Sequence, residues 1–395
     1  MKIESIRLKN FKAFKDTLMS DIPRLCVIVG ANGVGKSTFF EVFGFLKDAL
    51  ADNVSKALNK RGGFREVKSR DSDGAIEIEI QFREAASKPL VTYFLAIEEN
   101  KKGTPIIKRE TLTLKYGSGC NSQPWYFLDF ARGNGFAVTN ELEHVEHKTA
   151  LQREAQTLAR PDILAIKGLA QFQKFPVMMK LGSLIEQWHI SDFHSNRARQ
   201  VQEEGYAEHL SSEGENLSLV TLFLYERHPT IFNEILERLK QRVPGINSAA
   251  AKITEEGRVL LKFQEGNFKD PFLARYVSDG TLKMFAYLVL LYDPSPHPLL
   301  CVEEPENQLY IKLLWELAEE FRICANRGGQ VFISTHSPDF LNALELDEVF
   351  WLIKKQGYTT IKRARDDKQI AAFMAEGDQM GYLWKQGFFE GVDPQ

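Results

Sequence analysis

Two kinds of apolar pattern alternate along the chain. Some segments place apolar residues at every second position, the mark of a strand with one wet face. Others are unbroken apolar runs of four or five residues, the mark of a strand covered on both sides. The opening KIESIRLKNF carries Ile3, Ile6 and Leu8, and LCVIV at 25–29 is a continuous run, so residues 1–30 read as two strands. A helix is expected over 37–51, where Phe39, Phe40, Val42, Phe43, Phe45 and Leu46 form a broad apolar surface. Residues 51–72 are rich in Lys, Arg, Asn and Gly and read as a mobile connection. AIEIEIQF at 75–82 alternates strictly, and 91–97 and 109–116 read as its antiparallel neighbours, with turn signals at 99–103 and 117–119.

The middle of the chain changes character. Residues 142–158, 177–188 and 217–243 read as helical, the last as one or two helices ending before Pro244. From Gly257 strands and helices alternate again: strand 259–263, helix 281–292, strand 299–302, helix 310–326, strand 331–334, two further strands at 349–353 and 359–362, and a short helical end. The expected organisation is an N-terminal half over 1–140, a helical insertion over 141–245 and a C-terminal half over 246–395. No heptad pattern is sustained for several turns, so no long coiled-coil arm is expected.

Composition narrows the class. With 44% hydrophobic and 26% charged residues among 395, the chain can bury a sizeable core. No apolar run approaches the ~18–20 residues that cross a bilayer. The first residues are charged and strand-like rather than a secretory leader. Cys26, Cys120, Cys301 and Cys324 are scattered without a CxxC pair, which predicts neither disulfides nor a cysteine zinc framework and suits a cytoplasmic location. The net charge of −3 gives no general attraction for nucleic acid, so any contact with it must use a local patch or a partner.

Four short segments carry chemistry. Gly30-Ala31-Asn32-Gly33-Val34-Gly35-Lys36-Ser37-Thr38 matches G-x-x-x-x-G-K-[ST] and lies between an apolar strand and a helix. Its glycines let successive backbone N–H groups turn inward onto phosphate oxygens, and the helix adds its positive end. Lys36 can reach the outer phosphates, and the Ser37 hydroxyl can ligate Mg²⁺. In Leu299-Leu300-Cys301-Val302-Glu303-Glu304-Pro305-Glu306 a buried strand ends in carboxylates, where parallel sheets place their ligands. There Glu303 would hold Mg²⁺ through water, and Glu304 would orient the water that attacks the terminal phosphate. Ser278-Asp279-Gly280-Thr281-Leu282 precedes a helix and could offer a hydroxyl and N–H groups to an anion. Finally, the strand Val331-Phe332-Ile333-Ser334-Thr335 delivers His336 to the sheet edge.

The order of these four segments is that of the ABC ATPases, and the sequence resembles the RecF/SMC/OLD group of that superfamily. The resemblance is strongest over 1–47 and 275–344. It rests on IRLKNFKAF, the P-loop, SDGTL, Glu-Glu-Pro-Glu and Ser-Thr-His-Ser-Pro. It implies an α/β fold, an ABC-type P-loop NTPase head with an antiparallel β subdomain and a helical insertion. The implied cofactors are ATP and Mg²⁺. Lys36, Glu304 and His336 would be catalytic, and Gly30, Asn32, Gly33, Gly35, Lys36, Ser37 and Thr38 would bind nucleotide. Ser278 and Gly280 would contact the ATP held by an opposite subunit, in a homodimer sandwiching two nucleotides or a higher oligomer built from it. Ser37 and Glu303 would serve the metal.

Three positions depart from the group's pattern. Glu303 stands where Asp is common, Tyr310 stands where many relatives have His, and no motif fixes the metal-sensing glutamine, for which Gln81, Gln171 and Gln173 are candidates. The tail Gly381–Trp384 resembles ATPases of two-component bacterial anti-phage systems that work beside a separate nuclease or toxin. Only 59 residues follow His336 (395 − 336), too few for the TOPRIM nuclease of OLD-like relatives. A DNA-binding, RecF-like repair ATPase is the alternative. The cluster Lys56, Lys60, Arg61, Arg65, Lys68 and Arg70 could bind phosphates but reads better as a solvated loop, because Glu66, Asp71 and Asp73 interleave it. His144 and His147, three apart, read as surface residues.

Overall fold

The computed structural model describes residues 2–85, 87–115, 124–140 and 151–391. Its centre is a six-stranded sheet in the order β10-β15-β16-β3-β17-β18. These strands are β3 (Leu25–Val29), β10 (His189–Ser191), β15 (Leu299–Glu303), β16 (Gln330–Thr335), β17 (Val349–Lys355) and β18 (Tyr358–Arg363). All neighbours are parallel except β17 and β18. The unbroken apolar runs are explained by burial on both faces. Cys26, Ile28, Leu299, Cys301, Phe332, Phe350 and Leu352 enter one core, whereas Leu25, Val27, Val29, Leu300, Val302, Val331, Ile333 and Trp351 enter another.

The first core lies beneath helix α1 (Lys36–Ala51), whose Phe39, Phe40, Phe43 and Phe45 are all buried, and beneath α2 (Pro176–Glu186). On its far side is an eight-stranded antiparallel sheet in the order β2-β1-β4-β5-β6-β7-β8-β9. Its strands are β1 (Lys2–Phe11), β2 (Phe14–Ser20), β4 (Ile76–Arg83), β5 (Leu90–Glu99), β6 (Pro105–Lys115), β7 (Trp125–Ala131), β8 (Asn134–Val138) and β9 (Arg153–Thr157). The strict alternation of AIEIEIQF becomes the burial pattern of β4, with Ile76, Ile78, Ile80 and Phe82 inward.

The second core is closed by α3 (Leu217–Arg227), α4 (Pro229–Arg242), α5 (Asp279–Leu291) and α6 (Ile311–Asn326). Pro229 divides α3 from α4, which settles the one-or-two-helix reading of 217–243. Glu320 of α6, fully buried, accepts from Arg238 (2.9 Å), Arg242 (2.7 Å) and Tyr292 (2.8 Å), so its charge is paired and its lone pairs are used. A small sheet of β11 (Gln202–Glu203), β13 (Arg258–Glu265) and β12 (Ile246–Ile253), with β14 (Phe272–Leu273) on β13, flanks these helices.

The structure corrects the reading of 141–245 as a helical insertion. Within it, β9 completes the antiparallel sheet and β10 forms the edge of the central sheet, so the segment is woven through both halves. The helix expected over 142–158 is, in its described part, the strand β9, whose residues pair with β8 instead of presenting a helical stripe. Residues 51–72 are ordered by burial: Val54, Ala57, Leu58 and Val67 anchor two short helices, Val54–Asn59 and Phe64–Val67. Lys56, Lys60, Arg61 and Arg70 of the basic cluster pair with Asp52, Asp48 and Glu66. His144, His147, Cys120 and Tyr116 lie outside the described residues.

Candidate nucleotide site

Four adjacent parallel strands, β10, β15, β16 and β3, end at the same edge, and each emits a polar loop there. Register fixes their heights: Glu303 lies beside Ser334, and Thr335 lies beside Val29. Ligand sites in α/β sheets form outside such carboxyl ends.

The loop after β3 has the conformation its glycines permit. Gly33 and Gly35 take φ of 76° and 114°, and Gly35 sits at the N-cap of α1. A Cβ on Gly30 would press against Val34 Cγ1 at 2.6 Å. Asn32 and Gly33 are exposed at the tip, Ser37 is exposed and Thr38 half-buried. Lys36 is buried, and its Nζ donates to the carbonyls of Gly30 (2.8 Å) and Ala31 (3.3 Å), lying 3.9 Å from Glu304. Burial lowers the Lys36 pKa, opposed by Glu304, Glu306 and Glu303.

Facing this loop, the Ser37 hydroxyl donates to Glu303 Oε2 at 2.5 Å. Burial raises the Glu303 pKa, and the Ser37 hydrogen bond opposes it. A hydroxyl and a carboxylate side by side are hard oxygen donors of the kind Mg²⁺ takes, so these residues fit the implied metal. Glu304 follows in the left-handed region, φ 41°, with its N–H on Ser334 O (2.9 Å). Its side chain meets Nδ1 of His336 at 3.0 Å and accepts from Asn307 at 3.0 Å. Burial works to raise the Glu304 pKa, but Asn307, His336 and Lys36 outweigh it and hold the carboxyl below its ordinary value.

Glu306 underpins His336. Its Oε1 accepts from the Thr335 hydroxyl (2.5 Å) and the His336 N–H (3.2 Å), while its buried Oε2 has no partner among the described residues. Lys283, also buried, donates to the carbonyl of Asn307 at 2.9 Å and lies 3.5 Å from that of Glu304. Burial brings its pKa down to about 8. Together Ser37, Glu303, Glu304, Asn307, Lys283 and Asp192 line a cleft of about 610 Å³.

Ser278 caps α5, accepting from Thr281 N at 3.2 Å. Arg199 holds this tip through Asp279 and the Val277 carbonyl, both at 2.5 Å. A Cβ on Gly280 would meet the Gln308 carbonyl at 3.1 Å, a tight contact, so glycine suits the close approach of the helix start to the loop after Glu304. Ser278 and Gly280 line a different cleft, with Tyr310, Lys312, Arg242 and Gln308. Gln308 alone borders both.

None of the three candidate glutamines lies in the nucleotide cleft. Gln171 and Gln173 are exposed elsewhere, and Gln81 on β4 bonds Ser5 and Glu79. Asp192, the residue after β10, lines the cleft with Glu303. Sequence reading missed it because a three-residue strand carries no periodicity. Lys283 was legible only as the residue that follows SDGTL.

A model described as "AAA ATPase domain" matches residues 1–180, and one described as "AAA domain, putative AbiEii toxin, Type IV TA system" matches 146–342. Both descriptions are of AAA-type ATPase domains, and the two matches together span residues 1–342. An "ATP/GTP phosphatase" of Helicobacter pylori is 22% identical over 358 residues, 87% of each chain. Among solved structures, an SMC head bound to the C-terminal winged-helix domain of ScpA is 15% identical at a TM-score of 0.50, covering 92% of this chain and 97% of that one. The Pyrococcus furiosus SMC head with an extended coiled coil, bound to the C-terminal domain of ScpA, is 13% identical at 0.50, covering 95% and 99%. These last two show the shared fold of this ATPase. No helix among its described residues is long and apolar enough to cross a membrane.

Proposed function

We propose that this ATPase turns over in a head-to-head homodimer and serves as the motor or sensor subunit of an anti-phage complex whose nuclease or toxin is a separate protein. One observation carries the dimer. Lys36, Ser37, Glu303, Glu304 and His336 converge at the ends of three strands, whereas Ser278 and Gly280 line another cleft. A second copy turned about a two-fold axis supplies the missing wall to each site.

The N–H groups of 33–38 and Lys36 bind the phosphates. Ser37 and Glu303 would hold Mg²⁺, which would supply positive charge against those phosphates. Glu304, kept ionised, accepts a hydrogen bond from the attacking water and aims it. His336 faces the terminal phosphate and holds Glu304 by its Nδ1. Because the second wall arrives only on encounter, turnover is slow in the free chain.

The AbiEii description of the matched model supports the defence role. The ion-paired state of Lys56, Lys60, Arg61 and Arg70 speaks against direct DNA binding by that strip. Co-expression with the products of adjacent genes tests the partner: a stable complex with a nuclease or toxin is expected. If no neighbour co-purifies or alters turnover, the defence role fails while the ATPase dimer stands.

A further inference from the structure

At the opposite ends of β10 and β15 from the nucleotide cleft, a second polar cluster is built. His297 lies two residues before β15, within the run Asp293-Pro294-Ser295-Pro296-His297-Pro298. The prolines fix φ on either side of it and stiffen the segment. His297 Nδ1 lies 3.1 Å from the carbonyl of Gln187. A carbonyl only accepts, so Nδ1 carries the hydrogen and Nε2 keeps its lone pair. That Nε2 is buried and has no hydrogen-bond partner among the described residues.

Asp293 faces it. Its side chain is 4% exposed, Oδ1 accepts from Ser295 N at 2.8 Å, and Oδ2 lies 2.6 Å from His209 Nδ1. One ligand atom each from His209, Asp293 and His297 lie within 4.8 Å of one another. Behind them His189, itself buried, stacks on His297 with centroids 4.6 Å apart and planes 18° apart, its Nε2 also without a partner. The histidine whose second nitrogen is held by a backbone carbonyl, and the carboxylate oriented by an N–H, are the outer contacts that metal ligands normally have.

We propose that His209, Asp293 and His297 bind a zinc ion, His297 through Nε2 and Asp293 through Oδ2. Two imidazole nitrogens and one carboxylate suit zinc rather than the all-oxygen preference of Mg²⁺ or Ca²⁺. Three protein ligands leave a fourth position, and the partly exposed His209 ring places it towards water. Geometry permits closure with small side-chain rotations, because zinc–nitrogen and zinc–oxygen bonds are about 2.0–2.2 Å long. The ion would tie residues 204–216 to the starts of β10 and β15. His189 opens β10 and Asp192 follows its last residue, so the metal would lie near one end of that strand and the nucleotide cleft at the other.

The test is a zinc titration of chelator-stripped, untagged protein against a chromophoric competitor, with Co²⁺ as a spectroscopic substitute. Wild type should take one zinc per chain, give the visible bands of tetrahedral Co²⁺ and melt higher with zinc. His209→Ala, at a partly exposed position, should fold and bind at least as weakly as the ~10–100-fold loss seen when a mere supporting contact is removed. Asp293→Asn should do the same, and a His144→Ala/His147→Ala double variant should bind as wild type. Absence of stoichiometric zinc in wild type, or unchanged affinity in His209→Ala and Asp293→Asn, overturns the site and leaves a hydrogen-bonded histidine cluster only.

Discussion

Nδ1 of His336 lies 3.0 Å from Oε1 of Glu304, and Asn307 holds the other oxygen of the same carboxylate at 3.0 Å. Both oxygens are therefore aimed before substrate arrives. Glu304→Gln keeps the shape and removes the charge. Turnover should fall by about 10²–10⁴-fold. The variant should still bind ATP and should accumulate as an ATP-bound dimer on size exclusion. A Glu304→Gln chain that holds ATP yet stays monomeric rejects the face-to-face arrangement.

Ser278 stands apart from the P-loop cleft of its own chain, which makes its proposed action in trans directly measurable. Ser278→Arg should lose hydrolysis and keep ATP binding, as should Lys36→Ala lose hydrolysis by itself. Mixed dimers of the two contain one intact site, so an equimolar mixture should recover about a quarter of wild-type turnover if subunits assort at random. An inactive mixture, or a Ser278→Arg homodimer with wild-type turnover, dismisses the shared site.

Glu110 lies far from this chemistry and sets a pH dependence of stability. It is fully buried, accepting from Ala165 N (2.5 Å), Ile166 N (3.2 Å) and Tyr93 OH (3.1 Å). Burial raises its pKa to about 7 against those three donors, from an ordinary 4.5. Between those values the unfolded chain has released a proton that the folded chain keeps. Stability from this group is full below pH 4.5, declines as pH rises to about 7 and is level above, a span of about 3 kcal/mol. Denaturant midpoints at both ends of that window should differ less in Glu110→Gln than in wild type. An identical slope in the variant means that Glu110 is ionised in the fold throughout.

The parts of the fold that announced themselves in sequence are those where one residue property repeats. The apolar runs of β3, β15 and β16 and the alternation of β4 were legible, and with them Lys36, Glu303, Glu304 and His336, which sit where those strands stop. What escaped was set by partners distant in sequence. β9 is all polar or small and is a strand because β8 lies beside it. β10 has three residues and exists because β15 pairs with it, so Asp192 was invisible until the sheet was closed. The short helices of 54–67 were hidden by their lysines, although Val54, Ala57 and Leu58 point into the core.

A Cβ at position 280 would lie 3.1 Å from the carbonyl of Gln308, so the tip of α5 runs close against the turn that begins at Glu304. Lys283, one turn along the same helix, is fastened to that turn by its ammonium. On the proposed mechanism, a load applied at the outer end of the helix would reach the turn that carries Glu304 and Asn307. A side chain at position 280 would press on that turn, and so on the spacing between the outside of the head and the proposed site of bond cleavage within it.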